Sequence, residues 1–127
     1  MGAWGTGVFD NDDAADFVAA VDDDNIYTQL GEAFKFNSVY VSASDGAVAL
    51  AGAALVALQT GLDVGEGSEE VADLTFTVDD ALRDRAVAAV ERVLGDGSEL
   101  VELWEDSEDY ENFLLAAEKV LDHLNDN

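Results

Sequence analysis

The chain has 127 residues, 49% of them hydrophobic, and its 29 Asp and Glu against five Lys and Arg give a formal net charge of −24. The apolar fraction is enough for one folded domain over residues 1–127 and too high for a disordered acidic tail. The charge disfavours direct binding to nucleic acid or to anionic membranes, and the absence of cysteine excludes disulfides, thiolate nucleophiles and Cys-ligated metal centres.

No targeting or membrane-spanning segment is predicted. The N-terminal residues carry no Lys or Arg ahead of an apolar run, unlike a secretory signal peptide. The longest apolar run, residues 47–58, is shorter than the roughly 20 residues that a bilayer span needs. We therefore expect a soluble protein of the cytoplasm.

Two amphipathic helices are predicted in the first third of the chain. Asp10 is placed to cap the first, and three more Asp residues follow in its first turns, where the helix dipole favours carboxylates. The acids of residues 22–24 oppose the dipole at the other end and are expected to terminate this helix. Asn25 is expected to cap the second. The apolar stripes recur at helical spacing, as Ala14, Phe17, Val18 and Val21, then Ile26, Leu30, Ala33 and Phe34.

A third helix, rich in alanine, is predicted to lie at the centre of the fold. Residues 36–42 are interpreted as an extended connector, after which Ser44 is expected to cap a helix that runs to about Thr60. Residues 47–58 include no polar or charged side chain, so this helix is apolar on every side and should be surrounded by others. Its alanines and Gly52 should allow close approach.

Three further helices are predicted after an acidic, glycine-rich loop over residues 61–76. The alternation in residues 74–78 is typical of a short edge strand, and Thr77 with Asp80 resembles a capping box for the fourth helix. Ser98 and Ser107 are expected to cap the fifth and sixth. The sequence therefore predicts an all-α fold: a compact single-domain bundle of about six helices around a central alanine-rich helix, with at most a minor two-strand pairing.

The acidic cluster at the first helix is a candidate cation site. Counted from Asp10 or from Asp22, the sequence lacks the Gly at position six and the Glu at position twelve of a calcium-binding EF-hand loop. The favoured interpretation is an ordinary capped helix N-terminus with no metal. The alternative is a divalent-cation binder or a metal-dependent enzyme that uses Asp10, Asp12, Asp13 and Asp16.

No catalytic set is identified elsewhere. His123 is the only histidine, and its place in the last turn of the sixth helix favours a structural role. Arg83, Arg85 and Arg92 are expected to pair with neighbouring acids, and Trp104 is expected to belong to the core. No catalytic residue and no cofactor are predicted, so the sequence leaves enzymatic activity undecided while favouring a non-enzymatic protein.

The opening residues Met1–Phe17, MGAWGTGVFDNDDAADF, resemble the signature of the small bacterial family catalogued as domain of unknown function 4259. The resemblance continues in the alanine-rich segment 47–57 and in residues 98–104, SELVELW, which is similar to that family's SELxELW segment. Val8 departs from the pattern, in which proline is usual. The resemblance implies a compact, mainly cytoplasmic bacterial domain with no established activity or cofactor. The positions that match the signature, interpreted as structural, are Trp4, Gly5, Gly7, Phe9, Asn11, Asp12, Ala14 and Asp16.

The charge favours an interaction protein over an enzyme. An acidic domain is attracted to basic proteins and associates with them quickly, as immunity proteins and DNA mimics do. The net charges of −9 over residues 98–127 and −5 over residues 62–78 mark the faces to test. The alternative is adaptation to a high-salt environment, in which the charge serves solvation alone. The candidate residues for a basic protein partner are Glu99, Glu102, Glu105, Asp106, Glu108 and Asp109.

Overall fold

Six helices form the part of the chain that the computed structural model describes, which comprises residues 12–36, 39–62, 74–95 and 97–125. Their order is α1 (Asp12–Ala20), α2 (Ile26–Ala33), α3 (Ala43–Gln59), α4 (Asp80–Leu94), α5 (Glu99–Glu105) and α6 (Tyr110–Asn125). The predicted all-α bundle is confirmed. None of the helices in these ranges has the length and apolar character needed to cross a membrane.

The alanine-rich helix α3 lies at the centre of the bundle, as its uniformly apolar sequence predicts. Each of the other five helices contacts it. Every residue from Gly46 to Ala57 is buried except Val48, which is partly buried. A helix that is buried on every side contributes its whole apolar surface to the core. Its side chains are mostly small, which leaves room for the five helices that pack around it.

Two glycines of α3 let side chains of neighbouring helices approach it closely. A methyl group placed on Gly52 would lie 3.1 Å from Cε1 of Phe34 and 3.3 Å from Cβ of Ala33, closer than ordinary packing allows. One placed on Gly46 would lie 3.4 Å from side-chain atoms of Leu100 and Val93. The predicted role of Gly52 in close approach is therefore confirmed for α2.

The outer helices bury one stripe each and expose the opposite face. In α1, α4 and α6 the buried side chains recur at the spacing of three and four residues that places them on one face of a helix. They are Ala14, Phe17 and Val18 in α1, then Leu82, Ala86, Ala89, Val90 and Val93 in α4, and Phe113, Ala117, Val120 and Leu124 in α6.

Three of the expected helix caps are wrong by a few residues. Ser42, not Ser44, caps α3, and its hydroxyl accepts a hydrogen bond from the Asp45 amide. Asp79, not Thr77, caps α4 by accepting from the Leu82 amide. In each case several capping residue types stand close together, and the one whose backbone is extended by its surroundings takes the position.

The third error concerns Ser107, because α6 begins only at Tyr110. Its hydroxyl accepts from the Asp109 amide, within the turn that precedes the helix. By contrast, the expected cap of α5 is confirmed, since the Ser98 hydroxyl accepts from the Val101 amide at 3.4 Å.

Asn25 precedes α2 as predicted, but its side chain makes no hydrogen bond to the first turn of that helix. Its backbone is helical rather than extended, and its side chain turns back toward α1. There the amide nitrogen donates to the Ala20 carbonyl, and the amide oxygen accepts from the Asp22 backbone nitrogen. Asn25 therefore closes the end of α1, which stops at Ala20 ahead of the acids of residues 22–24.

The extended segments form almost no strand pairing in the described residues. A single parallel bridge joins Val41 to Ser98 through hydrogen bonds from the Val41 amide to the Gly97 carbonyl and from the Glu99 amide to the Val41 carbonyl. The edge strand suggested for residues 74–78 is absent. The side chains of Gln59 and Tyr27 take the place of a partner strand, bonding the backbone of Leu74, Phe76 and Thr77.

Candidate functional site

Most of the family-signature residues lie outside the described residues. This applies to Trp4, Gly5, Gly7, Phe9 and Asn11, and to the candidate cation ligand Asp10. Most of the acidic loop of residues 62–78 lies outside them as well. The site is therefore built from what the structure describes of α1 and of the segments around α5.

The acids of α1 are placed as helix-stabilising residues would be. Asp12 and Asp13 occupy the first turn, where the dipole favours carboxylates, and Ala14 is completely buried against α3. Asp16 is exposed. Within residues 12–36, 39–62, 74–95 and 97–125 no three potential metal ligands come together. Because Asp10 is not among these residues, the cation-site hypothesis stays a prediction.

His123 joins the C-terminal ends of α3 and α6. Its Nε2 lies 2.9 Å from Oγ1 of Thr60, the residue that ends α3. Thr60 Oγ1 also lies 2.9 Å from the Ala57 carbonyl oxygen, so His123 hydrogen-bonds to a side chain that is held at the end of α3. This bond between two helix ends supports the structural role that the sequence analysis favoured for the histidine.

The arginines of α4 have different partners. Arg83 forms an ion pair with Asp80 at 3.2 Å, as expected for neighbours three residues apart on a helix. Arg92 donates to the Val39 carbonyl at 3.1 Å, and its guanidinium carbon lies 5.3 Å from the centre of the Phe36 ring. Arg92 therefore holds the connector before α3 against α4, a role that charge spacing alone does not indicate.

One of the six predicted partner-binding acids has a structural role. The Glu99 carboxylate accepts a hydrogen bond of 2.8 Å from the Ala43 amide, at the start of α3, and Glu99 is only partly exposed. Helices leave their first amide groups without partners inside the helix, and Glu99 supplies one across the bundle. The bridge between Val41 and Ser98 brings these two helix starts together.

The other five acids form an exposed acidic surface: Glu102, Glu105, Asp106, Glu108 and Asp109. They follow one another from α5 into the turn that leads to α6, and the sequence holds no Lys or Arg from residue 93 to residue 118. The helix beneath them is firmly packed, since Trp104 is only 8% exposed and its ring stacks on Phe113 at 5.3 Å. The expected core role of Trp104 is confirmed.

Three exposed apolar side chains belong to α5 and to the connector before α3, which hydrogen-bonds to α5 through Tyr40 and Val41. We refer to Val39, Tyr40 and Leu103 as the apolar patch; they are 88%, 45% and 46% exposed. Helical spacing places Leu103 on the same side of α5 as Glu99 and as Asp106, the residue that ends the helix, and Glu102 is exposed next to it. The Tyr40 hydroxyl reaches this side of the helix and donates to the Glu102 carboxylate at 2.9 Å.

The environment of Tyr40 raises the pKa of its hydroxyl above the ordinary value of 10.0. Removal from water is the largest cause, followed by the hydrogen bond to Glu102 and the negative charges of Glu102 and Glu99. All three disfavour a phenolate. The sequence analysis missed the apolar patch, although the position of Leu103 four residues from Glu99 and three from Asp106 already indicates an apolar side chain on an acidic face.

Comparison with known proteins identifies a family. The family model described as a domain of unknown function (DUF4259) matches residues 2–115, which is nearly the whole chain. No curated protein and no solved structure matches.

Proposed function

The chain belongs to the DUF4259 family of domains of unknown function, and we propose that it is a non-enzymatic interaction module that binds a basic protein partner. The observation that carries the proposal is the acidic surface of Glu102, Glu105, Asp106, Glu108 and Asp109, all exposed on a packed helix and its following turn. An immunity-like or DNA-mimic-like role toward a basic toxin, nuclease or DNA-binding protein would use such a surface.

The acidic surface attracts basic proteins over a long range. Carboxylates that stand close together in a stretch of sequence without Lys or Arg produce a negative potential that steers a basic protein and raises its association rate. Since α5 contacts α3, α4 and α6, the backbone that carries these acids has a fixed arrangement before a partner binds. A fixed arrangement lowers the entropy that binding must overcome.

The experiment compares two variants with the same change of charge. In one, Glu105→Gln, Asp106→Asn and Glu108→Gln neutralise the acidic surface. In the matched control, Glu32→Gln, Asp84→Asn and Glu91→Gln neutralise three exposed acids on α2 and α4. The wild-type chain and both variants are immobilised and used for affinity capture from the cells that encode the chain, at low and at high salt.

We expect a basic protein that the wild type and the control retain at low salt and that the Glu105/Asp106/Glu108 variant loses. High salt should weaken retention, because it screens charges on exposed surfaces. Equal retention by both variants would place binding elsewhere on the molecule. If no basic protein is retained at low salt, the proposal is wrong.

A further inference from the structure

We propose that the apolar patch and the carboxylates around it form one docking site for a basic amphipathic segment of a partner, in which aliphatic side chains stand between Lys or Arg residues. The inference rests on the proposed function and specifies the part of the partner that is recognised. It assigns the recognition of that segment to Val39, Tyr40 and Leu103, which attraction between charges alone does not require.

The connector that carries Val39 and Tyr40 is fixed in place. Arg92 donates to the Val39 carbonyl, and the Val41 amide and carbonyl bond to Gly97 and Glu99 at 2.7 and 2.9 Å. The Tyr40 hydroxyl is held by Glu102. Backbone that is immobilised this thoroughly while its apolar side chains remain exposed is already ordered for contact with another molecule.

Leu103 lies on the well-packed helix α5, and its side chain is exposed to water. Behind it, Leu100, Val101 and Trp104 are buried against the bundle, so α5 cannot rotate to hide the leucine. A neighbour that covered Leu103 and Tyr40 would gain the free energy of removing apolar surface from water. Glu102, which accepts from the Tyr40 hydroxyl and precedes Leu103 in the chain, would remain at the edge of such a contact.

The charge around the apolar patch indicates which kind of partner fits it. Glu102 and Asp106 share the exposed side of α5 with Leu103, and Glu105, Glu108 and Asp109 follow at the end of the helix. A second copy of this chain would bring another net charge of −24 to the same place, and anionic lipid would add like charge. Lys and Arg beside aliphatic side chains match both the carboxylates and the apolar patch.

The test uses two probes. One is a synthetic amphipathic helical peptide that presents Leu and Lys side chains side by side, and the other is polylysine of equal charge, which has no Leu side chains. Binding to the folded chain is measured by fluorescence anisotropy at about 0.1 M and about 1 M KCl, where the Debye length falls from about 10 to about 3 Å. We expect polylysine to lose its binding at the higher salt and the Leu/Lys peptide to keep a measurable part of its own.

The decisive variant is Leu103→Ser, with Leu115→Ser as its matched control, since Leu115 is a 64% exposed leucine on α6. We expect Leu103→Ser to weaken peptide binding about tenfold, the effect of losing one buried leucine contact, and Leu115→Ser to leave it within about twofold. Polylysine binding should be the same for both. Val39→Ser provides a second test with a residue whose exposure makes folding insensitive to the change.

The outcomes separate this inference from the proposed function. Equal peptide binding by the Leu103, Val39 and Leu115 variants would overturn the docking site, even if the Glu105/Asp106/Glu108 variant lost its basic partner. If that triple variant also retained its partner, the partner would bind elsewhere on the molecule, so the docking site would be overturned while the interaction module would stand. A shift of the Tyr40 and Leu103 NMR signals on adding the peptide, with Leu115 unchanged, would locate the contact directly.

Discussion

At the scale of single residues, the pair formed by Tyr40 and Glu102 gives the surface a measurable pH dependence. The raised pKa of Tyr40 means that the phenol keeps its proton, and its hydrogen bond to Glu102, to a higher pH than a free tyrosine does. Because the pKa is higher in the folded state, the stabilising effect of this contact is fully present below about pH 10 and is lost as the pH rises through the folded-state pKa.

We expect Glu102→Gln to lower the pKa of Tyr40, because it removes a negative charge and a charged acceptor while leaving the partial removal of the hydroxyl from water in place. The ultraviolet absorbance of tyrosinate is followed against pH for each chain, and the contribution of Tyr40 is isolated by subtracting the titration of the Tyr40→Phe variant. Glu105→Gln serves as the control. If the two glutamate variants titrate alike, the contact with Glu102 does not govern Tyr40.

At the scale of helices, the packing around α3 makes a prediction that contrasts two glycines. An alanine at Gly31, in α2, meets only a nitrogen of Arg85 at 3.7 Å, whereas one at Gly52 meets Phe34 and Ala33 at 3.1 and 3.3 Å. Both changes improve helix propensity by about 0.5–1 kcal/mol. We expect Gly31→Ala to stabilise the protein by that amount.

Gly52→Ala should give a free energy of unfolding about 1–3 kcal/mol lower than Gly31→Ala does, since the added methyl group must displace packed side chains. Urea denaturation of the wild type and the two variants measures both values. Equal stabilisation by the two alanines would show that α2 and α3 can separate without cost, and that Gly52 is not required for their approach.

The same helices show which parts of the fold a sequence can predict. The buried stripes and the central place of α3 depend on spacing and on the absence of charge, which are properties of the chain alone. The cap of α3 depends on Val41, which its bridge to Ser98 holds extended so that the helix begins at Ala43. The structural use of Glu99 depends on the same bridge, so it could not be foreseen from helical spacing.

At the scale of the whole molecule, the net charge of −24 opposes folding because it concentrates like charges in the folded state. We expect the melting temperature to rise by roughly 5 °C or more between about 0.1 M and about 1 M KCl, as the repulsion is screened. Circular dichroism during heating measures the change. The Glu32/Asp84/Glu91 neutral variant should depend less steeply on salt.

A melting temperature that does not change with KCl would contradict this prediction and show that the acids are too far apart to repel. Unfolding in dilute buffer would instead favour the interpretation that the charge is an adaptation to high salt. Folding in dilute buffer together with loss of a partner at high salt would favour an interaction module. The sequence therefore identifies the total charge, but only the fold identifies the acids that stand together beside exposed apolar side chains.

The bridge between Val41 and Ser98 also bears on the order in which the molecule folds. The chain between these two residues contains α3 and α4, and closing a loop of that length costs roughly 3–4 kcal/mol of chain entropy before the two backbone hydrogen bonds can form. Packing of α3 against α4 brings the ends of this loop together. We therefore expect the bridge between the starts of α3 and α5 to form together with this packing or after it, rather than before it.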